Sequence, residues 1–398
     1  MSTKKARFSV PLWLLIMAVL AIVGPATIDM YLSTFPIIAE DFQVPPPRIE
    51  LTVSAFLFGL SFSQLVVGPI TDRYGRKYPL LLGACLYVGA SLICAYAASF
   101  NFLMLGRVLQ AFGAAYFMTI SRAVIRDHYS TQDAANAMTI LMLLTGLAPV
   151  VAPIIGALLA DYTGWRGLFL ILAAYGIASF FLVTFFFKES LSLDNRLPIS
   201  PKSIISNYAG LLVDRSFIGF ALAGGFSVGG MFAFIASSST VLMETFGLGP
   251  QGFARSFALI AFGLMVGSQL CGVLLRRGIP AISLYRLAAY WTVLVLGLGV
   301  LLSLTDMMSL TTFMSIMFAF TVGLGLINPT APVLALNKQG HRLGMASALA
   351  GATLFIFGTL SSAIVSHWHD GTELPLLTTM FLFLCLALFF GRVVAKLH

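Results

Sequence analysis

Read from end to end, the chain is a succession of apolar runs, parted by short breaks that hold its charge, proline and glycine. About 20 apolar residues cross the hydrocarbon of a bilayer as a helix. The 398 residues divide into twelve such segments, at 10–33, 49–70, 78–99, 102–123, 135–159, 166–187, 216–243, 253–275, 284–304, 308–333, 344–366 and 374–394. Hydrophobic residues make up 59% and charged residues 10%, where a soluble domain has about half and about a quarter. Membrane barrel strands alternate apolar and polar residues, whereas these runs are apolar on every face. The expected class is an all-α membrane protein of twelve transmembrane helices.

Lysine and arginine set the orientation. With the amino terminus in the cytoplasm, the inside segments hold Lys4, Lys5, Arg7, Arg73, Arg76, Lys77, Arg122, Arg126, Lys188, Arg196, Lys202, Arg215, Arg276, Arg277, Arg286, Lys338, Arg342, Arg392 and Lys396. The outside segments hold only Arg48, Arg166 and Arg255. This is the positive-inside pattern, and an even number of spans puts both termini in the cytoplasm. The net charge of +8 therefore reads as topology, not as a nucleic-acid surface. The opening run is too long for a signal peptide and contains Asp29, so it reads as a retained span.

The longest hydrophilic stretch contains Pro198 and Pro201 and lies in the middle. It splits the chain into an N-terminal six-helix bundle (1–188), a cytoplasmic linker (189–215) and a C-terminal six-helix bundle (216–398). Ser63-Gln64-Leu65 near the end of span 2 recurs as Ser268-Gln269-Leu270 in span 8, each before a glycine and a basic turn. Matching positions in two six-span halves fit a duplicated transporter architecture.

Cys85, Cys94, Cys271 and Cys385 fall inside apolar stretches at unrelated spacings and read as small buried hydrophobes. His367 and His369 share one outer loop and read as solvated, and His128 and His341 suggest nothing specific. No metal site is expected. There is no Gly-x-x-x-x-Gly-Lys-Ser/Thr segment to couple nucleotide hydrolysis. Clustered histidine, cysteine or carboxylate groups at depth, which an enzyme would need, are missing. No cofactor is expected.

Two charges lie within spans rather than near their ends: Asp29 and Arg107. A charge in hydrocarbon is costly and usually faces a cavity or a partner. At 1.5 Å per residue Asp29 is ~6 Å from Ser33 and Arg107 ~9 Å from Asn101, so the two can share one depth. One alternative is a structural ion pair locking spans 1 and 4. The other is a proton site, because a carboxylate balanced between burial and a neighbouring cation loads and releases a proton as its surroundings change. Pro25, four residues before Asp29, is expected to bend the span.

Gly68-Pro69-Ile70-Thr71-Asp72-Arg73-Tyr74-Gly75-Arg76-Lys77 resembles the loop of the major facilitator superfamily that joins its second and third spans. Ile28-Asp29-Met30-Tyr31-Leu32-Ser33-Thr34-Phe35-Pro36 and Arg107-Val108-Leu109-Gln110-Ala111-Phe112-Gly113 resemble first- and fourth-span motifs of the bicyclomycin-resistance and chloramphenicol-efflux (Bcr/CflA) branch of drug:proton antiporters. That branch has proline at the position of Ser33 and glycine at that of Ala111. Gly146 to Ala157, with Pro149, Pro153 and Gly156, resembles the fifth-span motif of exporters in the superfamily. Ala152 and Ala157 replace two of its glycines, and small size keeps the helix packing.

The resemblance implies the major facilitator fold, a proton carried by Asp29 and modulated by Arg107, and gating by Gly68, Asp72, Arg73, Gly75, Arg76 and Asp127. Gly68 is expected to let span 2 approach a neighbour closely. Asp72 is expected to face the positive end of span 11, near Gly344, while Arg76 bridges Asp72 to Asp127 to close the cytoplasmic side. Arg73 and Lys77 also set topology.

Substrate-binding candidates are Tyr31, Gln110, Met142 and Asn328, with Met231 and Gln269 behind them. Asp29 favours cations and Arg107 favours anions. The expected function is a secondary antiporter of a bacterial inner membrane. It exports small amphipathic compounds, including antibiotics, on the proton gradient and works as a monomer with lipid, proton and substrate as its partners. The alternative is a carrier for a siderophore, amino acid or peptide, in either direction.

Overall fold

The computed structural model describes residues 11–129, 131–196, 201–337, 339–340 and 343–394. Lys4, Lys5, Arg7, Pro198, Lys338, His341, Arg342 and Lys396 lie outside the described residues. The described residues are helical with no strand. In chain order the helices are α1 (Leu12–Ala21), α2 (Val23–Asp29), α3 (Phe35–Phe42), α4 (Pro46–Tyr74), α5 (Lys77–Ala95), α6 (Phe100–His128) and α7 (Thr131–Phe186). They continue as α8 (Pro201–Leu212), α9 (Arg215–Ser239), α10 (Pro250–Arg276), α11 (Ala281–Leu304), α12 (Leu310–Leu336), α13 (Leu343–Trp368) and α14 (Leu374–Phe389).

Eleven helical stretches among the described residues are long and apolar enough to cross a membrane. One of them, Ala137–Phe186, has 50 residues, or ~75 Å of helix against ~30 Å of hydrocarbon. It turns back at Gly164, where φ is 65° and ψ 179°. Only glycine takes that backbone readily. The two arms of α7 are two crossings, so the total is twelve.

The first crossing, Leu12–Phe42, is built from pieces. Pro25 has no N–H to continue the ladder. The helix stops at Asp29, a 3₁₀ turn follows at Leu32–Thr34, and α3 begins with Pro36 in its first turn. The expected boundary at residue 33 is therefore too early: the crossing is longer and contains a break. A short helix, α8, also stands inside the segment expected to be only a linker.

Within the first half of the chain α5 packs on α6 and α7, and α4 packs on α6. Within the second half α10 packs on α12, α11 on α12 and α14, and α9 on α13 and α14. Two seams join the halves: α4 against α13, and α7 against α10. The Gly68–Lys77 turn, the end of α6 and the end of α7 gather at one end of the molecule, here named the turn end. The other is the far end.

Candidate functional site

Asp29 closes α2 beside the break in the first crossing. It is buried, at 2% exposure, and its Oδ1 has no hydrogen-bond partner. The backbone around it is held closely by α7. A Cβ at Gly156 would overlap the carbonyl oxygen of Met30, so only glycine admits that contact. Pro149 and Pro153 sit inside the same arm of α7, which stays helical through both. Gly146 is different, with nothing within 4 Å of a Cβ there. The small-residue motif of α7 is thus a packing surface at Gly156 and not at Gly146.

Arg107 is fully buried on α6. Its Nη1 donates to Gln110 Oε1 at 2.6 Å, and Gln110 Nε2 donates to Ser91 Oγ at 2.8 Å. The guanidinium carbon lies 4.5 Å from the ring centres of both Tyr31 and Phe56 and 5.8 Å from that of Phe169. Aromatic faces attract a desolvated cation. Nε and Nη2 have no partner. The four ion pairs among the described residues lie elsewhere, so Asp29 and Arg107 do not form the structural ion pair that was one alternative. Tyr31, two residues beyond Asp29, connects the two regions: its ring flanks Arg107 and its hydroxyl bonds Thr52 at 2.8 Å.

Of the binding candidates, Tyr31 and Gln110 come together around Arg107. Both are fully buried and already hydrogen-bonded. Met142 stands apart on α7, 69% exposed. Asn328 lies half-buried on α12 with an unpartnered Oδ1. Met231 is half-buried on α9 and Gln269 is exposed on α10. No hydrogen bond joins these last four to the Arg107 cluster.

At the turn end Arg76 is the hub. Its Nε donates to Asp127 Oδ2 at 2.9 Å, and its Nη1 donates to Asp72 Oδ1 at 2.8 Å and to Thr71 Oγ1 at 3.1 Å. Burial works against its charge, but the hydrogen bonds and charges of Asp127 and Asp72 outweigh burial and hold the guanidinium above its ordinary value. Arg73 is exposed, beside the ring of Tyr74.

Glu189, which no sequence motif marks, organises the turn. It accepts from the Arg76 backbone N–H at 2.8 and 3.0 Å and from that of Lys77 at 3.2 Å, capping α5. A side chain at Gly75, where φ is 87°, would overlap this carboxylate. Ser190 adds a hydrogen bond to Asp127 at 2.9 Å. A clue was available: acids are scarce, 15 in all, and Glu189 ends a span on the basic side.

Two contacts expected of the turn are not seen among the described residues in this conformation. Nothing among the described residues lies within 4 Å of a Cβ at Gly68 or at Gly344, so neither glycine is required by a close helix contact in this conformation. Asp72 bonds Arg76, and among the described residues no hydrogen bond joins it to the start of α13. The cause is a seam that opens toward the turn end. From the far end inward, α4 and α13 touch at Pro47 with Ser366, Ser54 with Ser362, and Leu57 with Gly358. The last of these contacts is Gln64 with Gly351, at 3.5 Å.

The far end is closed by polar bonds between the halves, centred on Glu50. This acid is fully buried. Ser237 donates to its Oε2 and Thr240 to its Oε1, each at 2.7 Å. Ser54 and Ser362 add a 2.6 Å hydrogen bond, and Gln251 reaches Asp161 at 3.3 Å. Glu50 stands at the edge of its apolar run, where a charge reads as a solvated boundary. Its burial depends on α9, which is distant in sequence. No group of three or more metal-ligating side chains occurs among the described residues.

Comparison with known proteins gives a consistent picture. A family profile described as Major Facilitator Superfamily matches residues 14–362. The chain is 35% identical over 371 residues to an uncharacterised MFS-type transporter, YdgK, of Bacillus subtilis, covering 92% of this chain and 91% of the relative. It is 30% identical over 382 residues to a bicyclomycin resistance protein homolog of Haemophilus influenzae, covering 96% and 94%. Among solved structures, it matches a bacterial homolog of the human lysosomal transporter Spinster in an inward-facing, occupied conformation. That TM-score is 0.74 at 16% identity, covering 97% of each chain.

Proposed function

The chain belongs to the major facilitator superfamily, a family of transporters, and on that premise we propose that it is a proton-coupled exporter of small amphipathic compounds. The observation that carries this reading is Asp29: a buried carboxylate with an unpartnered oxygen, at the break of the first crossing. Broken helices line substrate and ion sites in transporters, and ionisable groups at depth serve proton relays. The bicyclomycin-resistance relative supports a drug-like substrate.

The turn end is cytoplasmic, with both termini on that side, in the cytoplasmic membrane of a bacterium. Two six-helix bundles rock about a central site. Here the far end is shut across Glu50, Ser237 and Thr240, and α4 and α13 part toward the cytoplasm. The Arg76 cluster, formed here within the first half of the chain, shapes the turn that docks on α13 in the alternate state. A substrate enters from the cytoplasm, the bundles tilt, and a proton from outside reaches Asp29 as the substrate leaves.

The test is transport in proteoliposomes under an imposed pH gradient, with a panel of amphipathic antibiotics and dyes. Efflux should require the gradient, disappear with a protonophore, and be lost in Asp29→Asn. Equal transport by wild type and Asp29→Asn under the same gradient would remove Asp29 from the coupling.

A further inference from the structure

The structure assigns an anion-selective mouth to this transporter: Arg122 and Arg126 on α6 receive the carboxylate or other anionic group of the substrate at the turn end. The inference rests on the exporter reading and names the substrate class within it.

A Cβ at Gly59 on α4 would lie 2.6 Å from the Val108 carbonyl and 2.7 Å from the Ala111 side chain. Position 111 therefore faces α4. A Cβ at Gly24 on α2 would lie 2.6 Å from the Met118 sulfur, so position 118 faces the first crossing. Arg122 is eleven residues, or about three turns, beyond Ala111 and about one turn beyond Met118. It occupies the interior stripe of α6, not the lipid stripe marked by exposed Phe102, Leu105 and Leu109.

Along that stripe the burial changes. Ala111 and Ala115 are fully buried, Met118 is half-buried, and Arg122 and Arg126 are exposed. An interior face that becomes exposed opens into a vestibule. The same end is where the α4–α13 seam parts beyond Gln64 and Gly351. Both observations put the opening at the end of the molecule where Arg122 lies.

The two arginines are one helical turn apart, where like charges repel. Neither makes an ion pair or hydrogen bond among the described residues. Asp127, the acid nearest in sequence, is engaged with Arg76. Unneutralised guanidinium groups in a vestibule concentrate anions and pair with carboxylates in a forked geometry. A charge that only set topology would not need the interior stripe.

The experiment is equilibrium binding to the purified full chain in detergent, without a gradient. The probes are a panel of aromatic and aliphatic carboxylates, each with its uncharged carboxamide, and phosphatidylglycerol as a lipid anion. At least one carboxylate should bind about tenfold more tightly than its amide, with the preference weakening in high salt. Arg122→Gln should erase the preference, and Arg122→Lys should keep part of it. Equal binding of acid and amide overturns the inference. So does a preference that survives in Arg122→Gln, or binding of phosphatidylglycerol with no carboxylate bound. Binding is read without a proton gradient. Loss of gradient-driven efflux with carboxylate binding intact therefore sinks the exporter reading alone.

Discussion

The hydroxyl of Ser237 donates to the carboxylate of Glu50 across 2.7 Å, although the two residues are 187 positions apart. The bond joins the two halves of the chain at the far end. A buried carboxylate with both oxygens hydrogen-bonded is a strong local contact, and opening the far end must break it.

Glu50→Gln keeps the size of the side chain and replaces one accepting oxygen with an amide NH2 donor. It should weaken far-end closure by about 1–2 kcal/mol, or about tenfold in the open-to-closed ratio. Spin labels on the α3–α4 and α13–α14 turns should report a larger long-distance population by pulsed resonance. An unchanged distance distribution would show that Glu50 does not hold the seam.

Asp29→Asn should leave stability within about 1 kcal/mol of wild type, because Oδ1 makes no hydrogen bond that the amide would lose. The thermal transition of the detergent-purified variant checks this. A large fall would mean that loss of transport in this variant reflects misfolding.

Arg107→Lys should not be a conservative change. The guanidinium carbon lies 4.5 Å from the ring centres of both Tyr31 and Phe56, and the group bonds Gln110; an ammonium offers a different shape and donor geometry. Transport should fall about tenfold or more while the variant remains folded, since such contacts contribute about 1–3 kcal/mol. Full activity of the lysine variant would make the aromatic cage irrelevant to turnover.

Arg76→Ala should slow turnover more than it weakens binding. It leaves Asp127 and Asp72 without their shared cation and costs about 2 kcal/mol in the state that needs the cluster. Initial-rate kinetics should show kcat reduced about tenfold with a smaller change in KM. Equal effects on both would argue against a gating role.

Gly156→Ala should destabilise the protein by about 1–3 kcal/mol, because the added methyl meets a backbone carbonyl that cannot rotate away. Gly146→Ala should lie within about 0.5 kcal/mol of wild type, since that site is open. Paired melting curves measure the contrast, and similar curves would discount the Met30 contact.

The crossings could be read from the residues because each apolar run is long enough to span a bilayer by itself. The turn at Gly164 merely joined two of them into one helical stretch. The Arg76–Asp127 bridge was legible through resemblance, as both residues belong to recognisable segments. Glu189 and Glu50 were not, because each lies at the edge of an apolar run and looks like an ordinary boundary charge. Tyr31 and Gln110 were found as residues near a charge, but their complete enclosure around Arg107 could not be.

Hydrophobicity and charge placement act locally, residue by residue against lipid and water, so the chain alone determined its class, its crossings and the presence of charge at depth. The partners of those charges depend on which helices lie side by side. Packing brought Ser237 to Glu50, laid Tyr31 and Phe56 against Arg107, and left Asp29 apart from it. Those are contacts between segments far apart in sequence, and only the tertiary structure decides them.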